Sequence, residues 1–294
     1  MYRSNKPIHL SPYDHPDIYP GPRPATSFVF YKGVAHKLEE DHTSIEESMI
    51  HISETNHMYG SLVTDSSEKQ SLRDFLSKVN ETPIEERIPV IAYGSNVCLA
   101  QLVYKSSLNK NVSDLYICFR ATIKDTDVIY GAFLAPYGSL PAIIGPVDGA
   151  EAEVWVTLLT REQVELMNRT EGGYKLRAHH GGKVLMTTEE QLQTTYAYYY
   201  PKALFLEGQY YRFNDIPGNS PLTAVWQADM LNTLREICGY EGTREEFIHL
   251  LRWDSSFRHS VKYKLDDHSK IFNHPDWEES QSLLSIREIR QNKK

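Results

Sequence analysis

Hydrophobic and polar positions change their spacing several times along the chain, most clearly between residues 88 and 103. A short apolar run, Val90, Ile91 and Ala92, stops at a polar loop, and apolar positions with helical spacing resume at Val97. The pattern predicts a buried strand, a tight loop and the start of a helix. The loop residues are Tyr93, Gly94, Ser95 and Asn96.

This loop has the chemistry of an anion-binding site. Unpaired backbone N–H groups at a helix N-terminus suit a carboxylate or an oxyanion. Gly94 lets the backbone approach a ligand closely, and Ser95 and Asn96 add hydrogen-bonding side chains. Taken alone, the same residues also fit an ordinary strand-to-helix turn with Asn96 as its N-cap.

Other segments have the period of amphipathic helices or the composition of strands. The predicted helices lie at residues 65–79, 160–170, 226–239, 243–251 and 257–265. Capping boxes are predicted for Asp65 with Glu68, Thr160 with Gln163, and Thr243 with Glu246. Strand-like runs lie at residues 28–31, 115–121, 152–159, 183–186, 196–200 and 210–213. Residues 140–146 predict an irregular, buried apolar stretch beside a turn.

Glu171 is a candidate functional residue in the second half of the chain. It follows the predicted helix at 160–170 and precedes Gly172 and Gly173, which permit a left-handed helix end. A carboxylate there meets the negative end of the helix dipole, which is locally unfavourable. Such an acid is a functional candidate, and a solvated acid in a glycine-rich turn is the alternative.

The loop at 93–96 and the segment around Glu171, in this order, resemble the γ-glutamylcyclotransferase-like family, which includes the AIG2-like domains. That family has a YGSN-type loop and a later LDxxEG…Y segment whose Glu is the catalytic acid/base. Residues 93–96 match the loop, and Glu171, Gly172 and Tyr174 match the second segment. Met167 and Asn168 replace its Leu-Asp pair, and the resemblance covers about residues 86–213.

The resemblance implies an α+β fold: a small mixed β-barrel or sheet of the γ-glutamylcyclotransferase-like type. We expect three parts: an N-terminal extension (1–85) with a proline-rich arm and one helix, the family-like core (86–213), and a helical C-terminal region (214–294). The first 25 residues, with six prolines, predict either an arm laid on the body or a disordered lead.

The resemblance also implies a reaction. A γ-glutamyl or related small amide is cleaved when its own α-amine attacks the γ-carbonyl, which releases 5-oxoproline. Glu171 is then the general acid/base, with a pKa raised by a partly apolar pocket, and Tyr174 and residues 93–96 bind the substrate. Val154, Trp155 and residues 143–144 are expected to form the apolar wall.

Three alternatives stay open beside this interpretation. The pocket can be that of a non-catalytic binding module of the same fold, which recognises a small anionic ligand or a peptide end. The proline-rich arm and helical tail can also belong chiefly to an interaction protein. Finally, the loop that begins at Tyr137 is similar to the YGSL loop of the related ChaC-type enzymes and is a second candidate binding loop.

Composition narrows the function classes further. The chain has 294 residues, 40% of them hydrophobic and 24% charged, which is typical of a globular protein. The net charge of −8 argues against a nucleic-acid partner. Residues 1–24 lack an apolar signal-peptide core, and no apolar run is long enough to span a membrane, so we expect a cytoplasmic protein.

No metal or cofactor is expected. The three cysteines, Cys98, Cys118 and Cys238, form no CxxC pair, which disfavours a zinc site and a disulfide framework. His42, His51 and His57, set among acids, match no metal-binding spacing and are predicted to be surface residues. The expected partner is a small-molecule substrate, and the oligomeric state stays open.

Overall fold

The structure is a computed structural model that describes residues 10–40, 44–52, 68–280 and 282–292. Within these ranges the fold is α+β, with one 14-stranded mixed sheet, a two-stranded sheet and seven α-helices. The strands are β1 (Phe28–Tyr31), β2 (Val34–Leu38), β3 (Met49–His51), β4 (Lys69–Ser71), β5 (Ile88–Ala92), β6 (Tyr116–Tyr130), β7 (Ala142–Leu159), β8 (Lys175–His180), β9 (Val184–Met186), β10 (Thr194–Tyr199), β11 (Lys202–Leu204), β12 (Tyr211–Phe213), β13 (Gly218–Asn219), β14 (Thr223–Val225), β15 (Ser269–Ile271) and β16 (Trp277–Glu279). The helices are α1 (Leu72–Lys78), α2 (Leu99–Leu108), α3 (Arg161–Asn168), α4 (Gln227–Ile237), α5 (Arg244–Trp253), α6 (Ser255–Asp267) and α7 (Ile286–Gln291).

The large sheet is open, so the expected small barrel is wrong. Its main path runs β16-β8-β10-β5-β7-β6-β1-β2-β3-β4, with four short strands attached beside it. Neighbours on this path are antiparallel except β10 and β5, which are parallel. Strands from both ends of the chain extend the two edges of the sheet, and the path therefore ends at β16 and β4 without closing.

The long hairpin of β6 and β7 corrects a second expectation. Ala142, predicted to be irregular together with the residues after it, begins β7 and pairs with Tyr130 at the end of β6. Pro146 lies opposite Thr126, next to a register shift at which Asp125 has a φ of +52°. A β-bulge of this kind accommodates a proline inside a strand, which a sequence pattern alone disfavours.

The sheet is buried on both faces around β5. Ile91 belongs to one hydrophobic cluster, whereas its neighbours Val90 and Ala92 belong to another. Because successive strand residues point to opposite faces, the two clusters cover opposite sides of the sheet. β5 is therefore held firmly at the point where the polar loop begins.

The local helix signals are largely confirmed. The capping boxes headed by Thr160 and Thr243 are both formed, and α4 ends before Gly239, whose φ is +66°. The exception is α1, whose N-cap is Ser71. The expected cap at Asp65 lies outside the described residues.

Strands from all three expected parts of the chain meet in the large sheet. β1 pairs with β6, and β16 pairs with β8, so residues before 86 and after 213 both extend the central strands. The three-part division itself stays a prediction. Residues 10–24 lie on the body, with Tyr19 and Arg23 buried. Residues 1–9 are outside the described part.

The positions of the histidines and the lengths of the helices bear on the predictions about metals and membranes. His51 is buried and hydrogen-bonds to Glu39 at 2.6 Å, so its expected place at the surface is wrong, while His42 and His57 lie outside the described residues. No group of three or more His, Cys, Asp or Glu in the described residues is arranged to hold a metal ion. Among the described helices, none is long and apolar enough to cross a membrane.

Candidate functional site

A cavity of about 290 Å³ lies at the end of β5. Its walls come from the loop after β5, one face of α2, the segment between β6 and β7, the turn after α3, and the N-terminal segment. All the site residues predicted from the sequence line it, namely Tyr93, Gly94, Ser95, Asn96, Glu171 and Tyr174. Two motifs that lie 75 residues apart therefore share one cavity.

The polar centre of the cavity is a network of three side chains. Glu171 Oε1 accepts hydrogen bonds from Asn96 Nδ2 at 3.0 Å and from Lys105 Nζ at 2.9 Å. Lys105 Nζ also donates to Asn96 Oδ1 at 2.8 Å. The Lys105 side chain is only 4% exposed and that of Glu171 is 14% exposed. The pair is therefore largely shielded from water, which strengthens the interaction between the two side chains.

The turn after α3 fixes the direction of Glu171. The N–H groups of Thr170 and Glu171 both donate to the carbonyl of Met167, and Tyr174 N–H donates to the carbonyl of Glu171. Gly172 takes a φ of +56°, the left-handed conformation that glycine adopts readily. The turn therefore aims the acid into the cavity, and the alternative of a solvated acid is wrong.

The loop after β5 is also more specialised than a simple capped turn. Residues Ser95–Val97 form a 3-10 helix, and α2 begins only after Cys98, so Asn96 is not its N-cap. The Asn96 side chain instead bonds to both Glu171 and Lys105.

Gly94 is required by close packing at this loop. A Cβ atom at this position would lie 2.8 Å from the hydroxyl oxygen of Tyr19. The same hydroxyl accepts a hydrogen bond from the backbone N–H of Ala142 at 3.0 Å. Gly94 therefore leaves room for the Tyr19 ring to reach the backbone at the start of β7.

The wall of the cavity is aromatic. Its aromatic residues are Tyr13, Tyr19, Tyr93, Phe133, Tyr137, Tyr174 and Tyr198. The expected wall of Val154, Trp155 and residues 143–144 is wrong, because these side chains pack in the hydrophobic clusters of the sheet. The turn between β6 and β7 supplies the wall instead, and Tyr137 brings the second candidate loop into the same cavity.

Hydroxyl groups in the wall are tied to the backbone. Tyr174 Oη donates to the carbonyl of Ala142 at 2.6 Å, and Ala142 N–H donates to Tyr19 Oη at 3.0 Å. Burial raises the pKa of Tyr19 to about 12 and that of Tyr174 well above its ordinary value. Both phenols are therefore neutral, and Tyr174 presents its ring to the cavity.

A second set of hydrogen bonds connects the two motifs through β10. Tyr93 Oη donates to the carbonyl of Tyr198, and Tyr198 Oη donates to Asn168 Oδ1 at 2.8 Å. Asn168 stands where the family segment has Asp. Its amide oxygen still accepts a hydrogen bond and ties the end of α3 to the sheet.

Sequence reasoning missed Lys105 and the contribution of the N-terminal segment. Lys105 follows Gln101 by one helical turn, and both lie on the buried face of α2. The sequence did contain a signal, because Lys105 lies where the helical spacing predicts a buried apolar side chain. Tyr13 packs against Tyr137 with tilted rings whose centres are 4.3 Å apart, and Ser11 accepts a hydrogen bond from Gln101. No local pattern in a proline-rich arm predicts this contact.

Comparison with known proteins leaves the family unassigned. No protein-family model matches the chain, and no curated protein is significantly similar to it. A solved structure that matches is the ensemble refinement of the crystal structure of an uncharacterized protein from Homo sapiens. That protein is 17% identical, and the match covers 71% of this chain and 100% of the human chain with a TM-score of 0.27. A likeness this weak supports no argument about fold or function.

Proposed function

We propose that this protein is a cyclotransferase that cleaves a γ-glutamyl or related small amide and releases 5-oxoproline. The observation that carries the proposal is the shared cavity of Glu171 and the loop at 93–96. The Glu171 carboxyl group lines this cavity beside the loop, and the Asn96 side chain adds polar groups next to it.

The reaction needs one proton to move twice. The α-amine of the substrate attacks its own γ-carbonyl, a ring C–N bond forms, and the amide C–N bond breaks. Glu171 takes the proton from the attacking amine and returns it to the leaving amine, so it ends the cycle ionised as it began. No further reactant is required.

The cavity supports this chemistry by its size and lining. Drug-sized ligands occupy pockets of about 300–1,000 Å³, so a cavity of about 290 Å³ suits a small amide. Aromatic walls with neutral hydroxyls make the surroundings of Glu171 less polar than water, which strengthens the electrostatic interactions inside. A substrate folded in this space brings its amine close to its carbonyl, which supplies part of the rate enhancement.

The test is turnover of a panel of γ-glutamyl amines and dipeptides, with detection of 5-oxoproline and of the released amine. Glu171→Gln keeps the size of the side chain and removes the base, so we expect kcat to fall by about 10²–10⁴-fold. Glu165→Gln, on the exposed face of α3, is the matched control. Unchanged turnover in Glu171→Gln would exclude the acid/base role.

A binding module is the second candidate, and one observation favours it. Glu171 Oε1 is held by two donors, and the Tyr174 hydroxyl donates to the Ala142 carbonyl, so part of the polar surface is already satisfied. In that case calorimetry should detect the binding of γ-glutamyl ligands, and no 5-oxoproline should form. Product formation by the wild type excludes this candidate.

A further inference from the structure

The two oxygens of the Glu171 carboxylate are not equivalent. Oε1 accepts both hydrogen bonds, from Asn96 and from Lys105. Oε2 has no hydrogen-bond partner among the described residues, and Glu171 lines the cavity. One oxygen is therefore fixed to the protein, and the other is left for a ligand.

The electrostatic surroundings of Glu171 are simple. Among the described residues that line the cavity, Lys105 and Glu171 are the charged ones. Five tyrosines interact with Glu171 electrostatically, namely Tyr13, Tyr19, Tyr93, Tyr174 and Tyr198. Burial raises the pKa of each of them, so they stay neutral around neutral pH. The positive charge that acts on Glu171 within the cavity is that of Lys105.

We infer that Lys105 is a positioning residue, which clamps Glu171 Oε1 and thereby leaves Oε2 as the atom that exchanges the proton. This inference rests on the proposed function and specifies how the acid/base group works. Oε2 accepts a proton from the attacking amine and releases it to the leaving amine. Lys105 acts on the reaction through Glu171 and takes no part in the proton transfer.

The Lys105 charge affects both halves of the proton cycle. A positive charge beside a carboxyl favours the ionised, basic form, which is the form needed before the attack. It also favours release of the proton from Oε2, which helps protonation of the leaving amine. Removal of the charge should therefore move the acidic limb of the pH profile as well as lower the rate.

The experiment measures kcat/KM against pH for Lys105→Gln and Lys105→Met. We expect the acidic limb to move to higher pH by about 1–3 pH units, the size of the effect of an opposite charge on a neighbouring carboxyl. Lys105→Arg keeps the charge and should restore the wild-type limb. Lys110→Met, at an exposed lysine just after α2, should leave the profile unchanged. A merely structural role for Lys105 would lower the rate without moving the limb.

A second measurement does not depend on turnover. The Glu171 carboxyl is titrated by ¹³C NMR in glutamate-labelled protein and assigned by the loss of its signal in Glu171→Gln. A higher midpoint in the uncharged Lys105 variants than in the wild type and Lys105→Arg supports the inference, and equal midpoints overturn it. If Lys105→Gln and Lys105→Met do not fold, the titration of Glu171 in the wild type decides. Protonation of Glu171 near neutral pH overturns the inference, whereas a carboxylate that stays ionised at clearly acidic pH supports it. If no γ-glutamyl substrate gives product, the proposed function is refuted, but the NMR titration still decides the role of Lys105.

Discussion

The buried histidine between β15 and β16 makes the stability of this protein depend on pH. His274 is 1% exposed. Its Nδ1 accepts the backbone N–H of Asp276 at 3.3 Å, so Nε2 carries the proton and donates it to Thr126 Oγ1 at 3.0 Å. A second proton, on Nδ1, would point towards the Asp276 N–H and break this hydrogen bond. The folded protein therefore favours neutral His274.

The size and sign of the effect follow from the pKa. Burial lowers the pKa of His274 from 6.5 to about 4; Asp276 opposes this change, whereas His179 and Lys183 add to it. The unfolded chain therefore binds the proton at higher pH than the folded chain. The stabilisation is fully present above pH 6.5 and is lost as the pH falls towards about 4. At about 1.4 kcal/mol per pH unit, the loss amounts to at most about 3 kcal/mol.

The assay is urea unfolding of the wild type and His274→Asn at a series of pH values. Asn retains an acceptor near the Asp276 N–H, so we expect a cost of about 1–2 kcal/mol at neutral pH. The wild type should then lose about 3 kcal/mol relative to the variant on acidification. His249→Asn, at an exposed histidine of α5, should follow the wild-type curve. Parallel curves for the wild type and His274→Asn would refute the argument.

Two further predictions concern the cavity wall and the core. Tyr13→Ala removes a lining ring and should raise kcat/KM for γ-glutamyl substrates with bulky leaving amines relative to small ones. Tyr104 is the control, because its ring lies 5.0 Å from that of Tyr13 but does not line the cavity. Tyr104→Ala should change the ratio of bulky to small substrates less than Tyr13→Ala does. The same ratio in both variants would contradict the place of Tyr13 in the cavity wall. Asp127→Asn leaves Arg212, now 2.7 Å from the carboxylate, without its buried counter-charge, so denaturant unfolding should show a loss of about 3–5 kcal/mol. Glu47→Gln, in an exposed ion pair, should cost less than about 1 kcal/mol, and a similarly small loss in Asp127→Asn would overturn the expectation.

Features set by neighbouring residues could be predicted from the sequence. The capping boxes at Thr160 and Thr243 use hydrogen bonds that span three residues, and the sequence states both partners. The strand that ends at Tyr93 and the turn that carries Glu171 were found for the same reason. That these two segments share a cavity followed from the resemblance and not from periodicity.

Features set by distant partners could not be predicted in this way. The pairing of β1 with β6 and of β16 with β8 decides whether the sheet closes, and a hydrophobic pattern does not state which strands pair. Pro146 obscured the first part of β7 because its bulge depends on the partner strand. The rings of Tyr13 and Tyr19 reach the cavity only through the path of the N-terminal segment.

The neutral Asn168 side chain bears on the charge near the site, because an Asp at this position could make the same hydrogen bond. The Asn168 amide oxygen accepts the Tyr198 hydroxyl as a carboxylate oxygen would, so the end of α3 is still tied to β10. A carboxylate three residues before Glu171 would add a second negative charge close to the acid and weaken the hold of Lys105 on it. With Asn168 neutral, the buried ammonium group of Lys105 pairs with Glu171 alone. Asn168→Asp should therefore preserve the fold and move the acidic limb of the pH profile upward, in the same direction as loss of the Lys105 charge.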